Sequence, residues 1–203
     1  MNSNKYYNFA KNELFPICRS ITGKGTEQTL KKIQRFFPKL KIYKIKSGTK
    51  IFDWKIPDEW NIKNAYVIDK YQNKIIDFKK NNLHIVGYSK PMKKRLTKKE
   101  LLNKIYSLPA QSDAIPYVTS YYKKDWGFCT TDIVRKLIVK NYSKNDKFDV
   151  LIDTSFKKNG YLQYGEYFIK GKTSKEIIIS TYICHPSMAN NELSGPIVSM
   201  SLM

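Results

Sequence analysis

The chain has 203 residues, room for one large or two small domains, and its 41% hydrophobic and 14% aromatic content excludes a disordered polymer. Its formal net charge is +20, yet only four of the 37 basic residues are Arg and 33 are Lys. Arg supplies the planar fork that reads phosphates and bases, whereas Lys is a hydrated point charge, so specific nucleic-acid recognition is not expected and non-specific attraction to polyanions at low salt is.

Residues 5 to 37 read as two helical pieces. Tyr6, Phe9, Ala10, Leu14 and Phe15 recur at helical spacing up to a break at Pro16. After the loop Ser20–Gly25, the segment from Thr26 carries Leu30, Ile33, Phe36 and Phe37 until Pro38 stops it. Lys41–Lys46 alternates with period two and predicts a strand.

From about residue 50 the character becomes β-rich. Short pieces at Phe52–Trp60, Asn64–Asp69, Ile75–Phe78 and His84–Gly87 are separated by Asn, Asp and Lys turns. A helical segment near Lys98–Tyr106 and a loop punctuated by Pro109 and Pro116 lead to Tyr117–Tyr122 and Trp126–Phe128. The last third returns to α/β grammar, with a helix over Thr131–Val139, strands at Asp149–Asp153 and Tyr161–Ile169, and a β-branched run at Ile177–Thr181 fit for a doubly buried strand. This order predicts two domains. One is an α/β domain from residues 1–49 and 129–203, and the other is a β-rich insert over 50–128.

Cys18, Cys129 and Cys184 are odd in number and widely spaced, which argues against both a disulfide framework and a structural zinc knuckle. Buried thiols are expected rather than nucleophiles. The start Met1–Tyr7 has no apolar leader, and no run reaches the length of a membrane span, so a cytoplasmic protein without membrane contact is expected.

Chemistry concentrates in the stretch Ile177–Gly195. A buried strand is followed by a loop with Cys184, His185 and Pro186, then by a small-residue turn that opens a helix. A neutral imidazole at the carboxyl end of a strand can donate its lone pair to Zn²⁺. Asn191 and Glu192 stand six and seven positions further on, where a carboxylate at a helix start can complete a coordination shell. Against this, a lone His beside Pro is more often structural. For Asp53, Trp54 and Trp60 a ligand-facing patch competes with the commoner reading of Trp as domain core.

Longer stretches carry a resemblance. Glu13–Gly23, Ser47–Asn61, Asn82–Ser89, Asp113–Tyr117, Thr119–Tyr122, Trp126–Cys129, Tyr164–Tyr167 and Cys184–Ser187 resemble a bacterial family of aminopeptidase-like proteins associated with polysaccharide biosynthesis and related to zinc aminopeptidases. The resemblance implies the fold class α/β: an incomplete zinc-aminopeptidase-like (phosphorylase/hydrolase-like) sheet with helices, plus an inserted small β-rich domain. It also implies relatives about twice as long, of which this chain matches the N-terminal half. The metal ligands it points to are His185, Asn191 and Glu192, with zinc as cofactor and a peptide or aminoacyl small molecule as substrate. In such enzymes the position of Asn191 bears a bridging Asp, and a carboxamide carries no charge to offset two zinc ions. A two-metal site cannot be assembled from these residues, and Glu166 is expected to be structural.

Four readings follow: a metallohydrolase fragment inactive as this chain, a non-catalytic aminopeptidase-like protein of surface-polysaccharide assembly, a nucleic-acid binder using the lysine surface, and a truncated product. Homo-oligomers are compatible with each.

Overall fold

The computed structural model describes residues 3–203, which divide into two compact units, one from residues up to Glu59 together with Lys157–Met203, the other from Trp60–Phe156. In chain order the helices are α1 (Ser3–Phe9), α2 (Lys24–Gln34), α3 (Lys98–Leu102), α4 (Asp132–Asn141) and α5 (Ser194–Leu202). The strands are β1 (Lys41–Lys46), β2 (Lys50–Ile51), β3 (Trp54–Lys55), β4 (Glu59–Ile68), β5 (Lys74–Asp77), β6 (Met92–Thr97), β7 (Ile105–Tyr106), β8 (Phe128–Cys129), β9 (Lys147–Lys157) and β10 (Tyr161–Glu166). π-helical turns at Ala10–Leu14 and Ala189–Leu193 extend α1 and precede α5.

In the first unit, α1 and its π turn stop just ahead of Pro16, whose ring nitrogen has no proton for the helix ladder. Their apolar stripe supplies Phe9, Ala10 and Leu14 to a core shared with Ile33, Phe37 and Leu40 and with Leu193 and Met200 from the far end of the chain. Each such fully buried side chain contributes about 1.5–3 kcal/mol before entropy is counted. That core seats the α5 region against the N-terminal helices. Gly23 begins α2 at φ 92°, a left-handed conformation that L side chains resist. β1 and β10 pair antiparallel from Lys41↔Glu166 to Lys46↔Tyr161, and Tyr43 and Tyr164, directly opposite, stack with ring centroids 5.1 Å apart.

The second unit is built on a four-stranded sheet of order β5-β4-β9-β6. Along β9 the residues Phe148, Val150, Ile152 and Thr154 all point inward, the period of two that the pleat imposes. Trp60 is buried, donates its indole N–H to the Ser89 carbonyl at 3.0 Å and stacks on Tyr88, so it belongs to the core and not to a ligand patch. Asp53 and Trp54 lie at the β2–β3 turn of the other unit. β7 and β8 form a short parallel pair, and α4 is capped by Thr131, whose hydroxyl accepts the Val134 N–H at 3.2 Å.

Several sequence expectations need correction. His84–Gly87 and Tyr117–Tyr122 are not strands. They form single bridges, Ile85↔Phe128 and Gly87↔Thr119, with Gly87 N–H bonded to the Val118 carbonyl at 2.8 Å. The helix expected to Tyr106 ends at Leu102, after which Ile105–Tyr106 pairs with β8. Ile177–Thr181 has no regular structure and pairs with none of the described strands, with Ile177 93% exposed. The two compact units divide at 59/60 and 156/157. The reason is β9, which pairs with β6 from Met92↔Ile152 to Thr97↔Lys147 and carries α4 into the second unit.

Candidate metal centre

Within the first unit, the chain after β10 runs without regular structure to the π turn at Ala189 and then enters α5. Two features fix this entry. Ser187 takes φ 47°, directing the chain sharply after Pro186. At Gly195 an added Cβ would collide with the Thr181 side chain, so only glycine lets the helix start lie against that segment.

The resulting geometry brings all three residues expected from the sequence together. His185 Nδ1 lies 2.5 Å from Glu192 Oε1 and 3.4 Å from Asn191 Oδ1. Asn191 in turn donates its amide N–H to the Tyr182 hydroxyl at 3.3 Å, and the Tyr182 ring meets the imidazole edge-on at 6.3 Å. The carboxylate of Glu192 is wholly buried; its Oε1 faces His185 Nδ1, and its Oε2 has no hydrogen-bond partner among the described residues. A buried carboxylate left in that state costs several kcal/mol unless a cation or proton compensates it.

Two further residues complete the cluster. Cys184 places Sγ with an imidazole nitrogen of His185 and a carboxylate oxygen of Glu192, all within 4.8 Å of one another. Burial pushes its thiol up to about 11, reinforced by the Glu192 charge and opposed by Arg19, so it is not a thiolate nucleophile at neutral pH. Arg19 is 1% exposed. Its Nε donates to the His185 carbonyl at 3.1 Å, a second nitrogen donates to the Leu14 carbonyl, and its remaining NH2 group has no partner among the described residues. Burial draws its guanidinium below the usual Arg range, while the Glu192 charge pulls it back up.

No sequence pattern singles out Arg19; its only signal is its place in Cys18-Arg-Ser20, inside a stretch that carries the family resemblance. The sequence marks Cys184 as a buried thiol, and only the fold sets it beside two other donors. The other histidine, His84, belongs to the second unit, where its Nδ1 pairs with the Cys129 carbonyl at 2.8 Å and burial lowers its basicity. Glu166 ends β10 opposite Lys41, exposed, outside the cluster.

The donor set fits a transition-metal ion chemically: imidazole, carboxylate and thiol are zinc's usual ligands. The 2.5 Å between Nδ1 and Oε1 is narrower than the ligand–ligand edge of a tetrahedral zinc site, about 3.3 Å for bonds of about 2.0 Å. An ion would therefore spread the pair, and the side chain of His185, 25% exposed, has solvent to move into.

A mixed α/β protein with small sheets and a His–Cys–Glu cluster beside a helix start is, chemically, a candidate metal-binding protein. The chain belongs to the family described as "Domain of unknown function (DUF4910)", which matches residues 7–203. It is 49% identical over 183 residues to a Clostridium acetobutylicum protein named "Putative polysaccharide biosynthesis protein with aminopeptidase-like domain", covering 90% of this chain and 41% of that one. It is also similar to the crystal structure of a "putative peptidase" from Clostridium acetobutylicum, with a TM-score of 0.91 and 46% identity over 98% of this chain and 46% of the other. The chain thus spans less than half the length of these two relatives.

Proposed function

We propose that this chain corresponds to the N-terminal part of a zinc-aminopeptidase-like α/β protein with an inserted β-rich unit, and that it binds zinc without hydrolysing peptides by itself. The observation that carries this reading is the convergence of His185 and Asn191 on the buried carboxylate of Glu192, whose Oε2 has no hydrogen-bond partner among the described residues. The aminopeptidase-like and peptidase names of its relatives support the class. Zinc would supply a Lewis acid able to polarise a carbonyl and to acidify a bound water. This chain's residues would hold and orient the ion: His185 and Glu192 as donors, Asn191 through its carbonyl oxygen, and Arg19 as the buried group fixing the His185 main chain. A two-ion centre needs more negative charge than Glu192 offers, because Asn191 brings none. A peptide or aminoacyl small molecule is the proposed substrate class of a complete site.

The neutrality of Asn191 equally favours a second reading, a non-catalytic aminopeptidase-like protein serving surface-polysaccharide biosynthesis. Under either reading a reducing cytoplasm suits the three free cysteines. None of the described helices is long and apolar enough to cross a membrane.

Elemental analysis of the purified chain and hydrolysis of aminoacyl-p-nitroanilides, with and without a chelator, test the proposal. About one zinc per chain and no chelator-sensitive turnover are expected. Absence of zinc after reconstitution would overturn metal binding, and chelator-sensitive turnover would overturn inactivity.

A further inference from the structure

We propose that Cys184 is a metal ligand, so that the centre holds one transition-metal ion between a thiolate, the His185 imidazole and the Glu192 carboxylate. This rests on the zinc-binding reading above and deepens it.

The argument is first one of charge. A divalent ion beside the single carboxylate of Glu192 and the buried guanidinium of Arg19 leaves two uncompensated positive charges, and Asn191 cannot offset them. Replacing the Cys184 thiol proton by the ion, with that proton passing to buffer, removes one of the two. Geometry agrees, since Sγ, an imidazole nitrogen and a carboxylate oxygen lie within 4.8 Å of one another. The independent pointer to a ligand is Glu192, fully buried, with Oε1 paired to His185 and Oε2 without a hydrogen-bond partner among the described residues. The chemistry also sets selectivity: thiolate and imidazole favour Zn²⁺ and Co²⁺, while Mg²⁺ and Ca²⁺ require oxygen ligands.

Cobalt substitution tests the assignment on the full chain. Co²⁺ bound to a thiolate gives an intense sulfur-to-metal absorption in the near ultraviolet in addition to its visible bands. We expect that absorption with wild type, its loss in Cys184→Ser, and its retention in Cys129→Ser, whose thiol lies in the other unit. Affinity should fall by at least about tenfold in Cys184→Ser and in Glu192→Gln, given that even outer-shell changes cost 10–100-fold. A second measurement does not depend on a variant that folds. Bound Zn²⁺, but not Mg²⁺, should protect Cys184 from iodoacetamide, as read by mass spectrometry of the Cys184 peptide. Visible cobalt bands without the near-ultraviolet absorption, together with unprotected Cys184, would overturn the thiolate ligand and leave zinc binding standing. No cobalt or zinc binding at all would overturn both.

Discussion

At the scale of single residues, the decisive pair is Arg19 and Glu192. Each is buried, and each leaves polar atoms without hydrogen bonds among the described residues. Arg19 also satisfies the carbonyls of Leu14 and His185, tying the end of the first helix to the ligand loop. Removing it takes one hydrogen bond from each carbonyl, leaving Leu14 its bond from the Ile17 N–H, and strips a buried carboxylate of its nearby positive charge. Arg19→Met should therefore cost about 2–4 kcal/mol in the absence of metal. Glu192→Gln relieves the charge imbalance from the other side, so the double variant should be less destabilised than the sum of the singles, by about 0.5–3 kcal/mol. Urea titrations followed by circular dichroism give all four values, and strict additivity would show that the two groups do not interact. Little of this was legible beforehand. The sequence exposes His185, Asn191 and Glu192 because they fall in one strand–loop–helix phrase. Arg19 acts across 166 positions through a main-chain carbonyl, and such a contact leaves no pattern in spacing.

At the scale of elements, local rules read from the sequence hold where an element makes its own case. β1 forms over the expected Lys41–Lys46, α4 starts at its Thr cap, and β10 follows its glycine. They fail where an element depends on a partner. The β-branched run Ile177–Thr181 has strand composition, yet strand is a property of two backbones and none of the described strands pairs with it. His84–Gly87 fails for a related reason: Ser89 O–H and N–H both turn back on the Val86 carbonyl, closing a turn in place of a ladder. The start of α5 offers a test of element packing. Gly195→Ala directs a methyl group into Thr181 and should cost about 1–3 kcal/mol, the usual penalty for overpacking. Thr181→Gly in the same chain should recover part of that loss. If Gly195→Ala melts at the wild-type temperature, the close approach of Thr181 to the helix start is not a constraint on the fold.

At the scale of the whole molecule, two opposing forces act on the surface. Ile177, Ile178 and Ile179 are 93%, 86% and 61% exposed, with Phe168 and Ile169 at 68% and 60% nearby in sequence, so an apolar segment faces solvent. Such a segment is a template for pairing with another chain and tends toward self-association. Opposing it is a net charge of +20, with Lys170, Lys172 and Lys175 immediately before the isoleucines, where charges act as gatekeepers. Repulsion between like-charged copies acts over the Debye length, about 10 Å at 0.1 M salt and about 3 Å at 1 M, whereas hydrophobic attraction is not screened. The balance must therefore tip with ionic strength. Light scattering should report a monomer at low salt and a rising mass as sodium chloride approaches 1 M. Ile178→Lys should suppress that rise by adding charge and removing apolar area at one of the most exposed positions. Lys172→Glu should instead bring it on at lower salt, because it weakens the local repulsion and leaves the apolar run intact. A wild-type mass that does not change with salt would mean that these isoleucines are covered in solution by contacts within the chain.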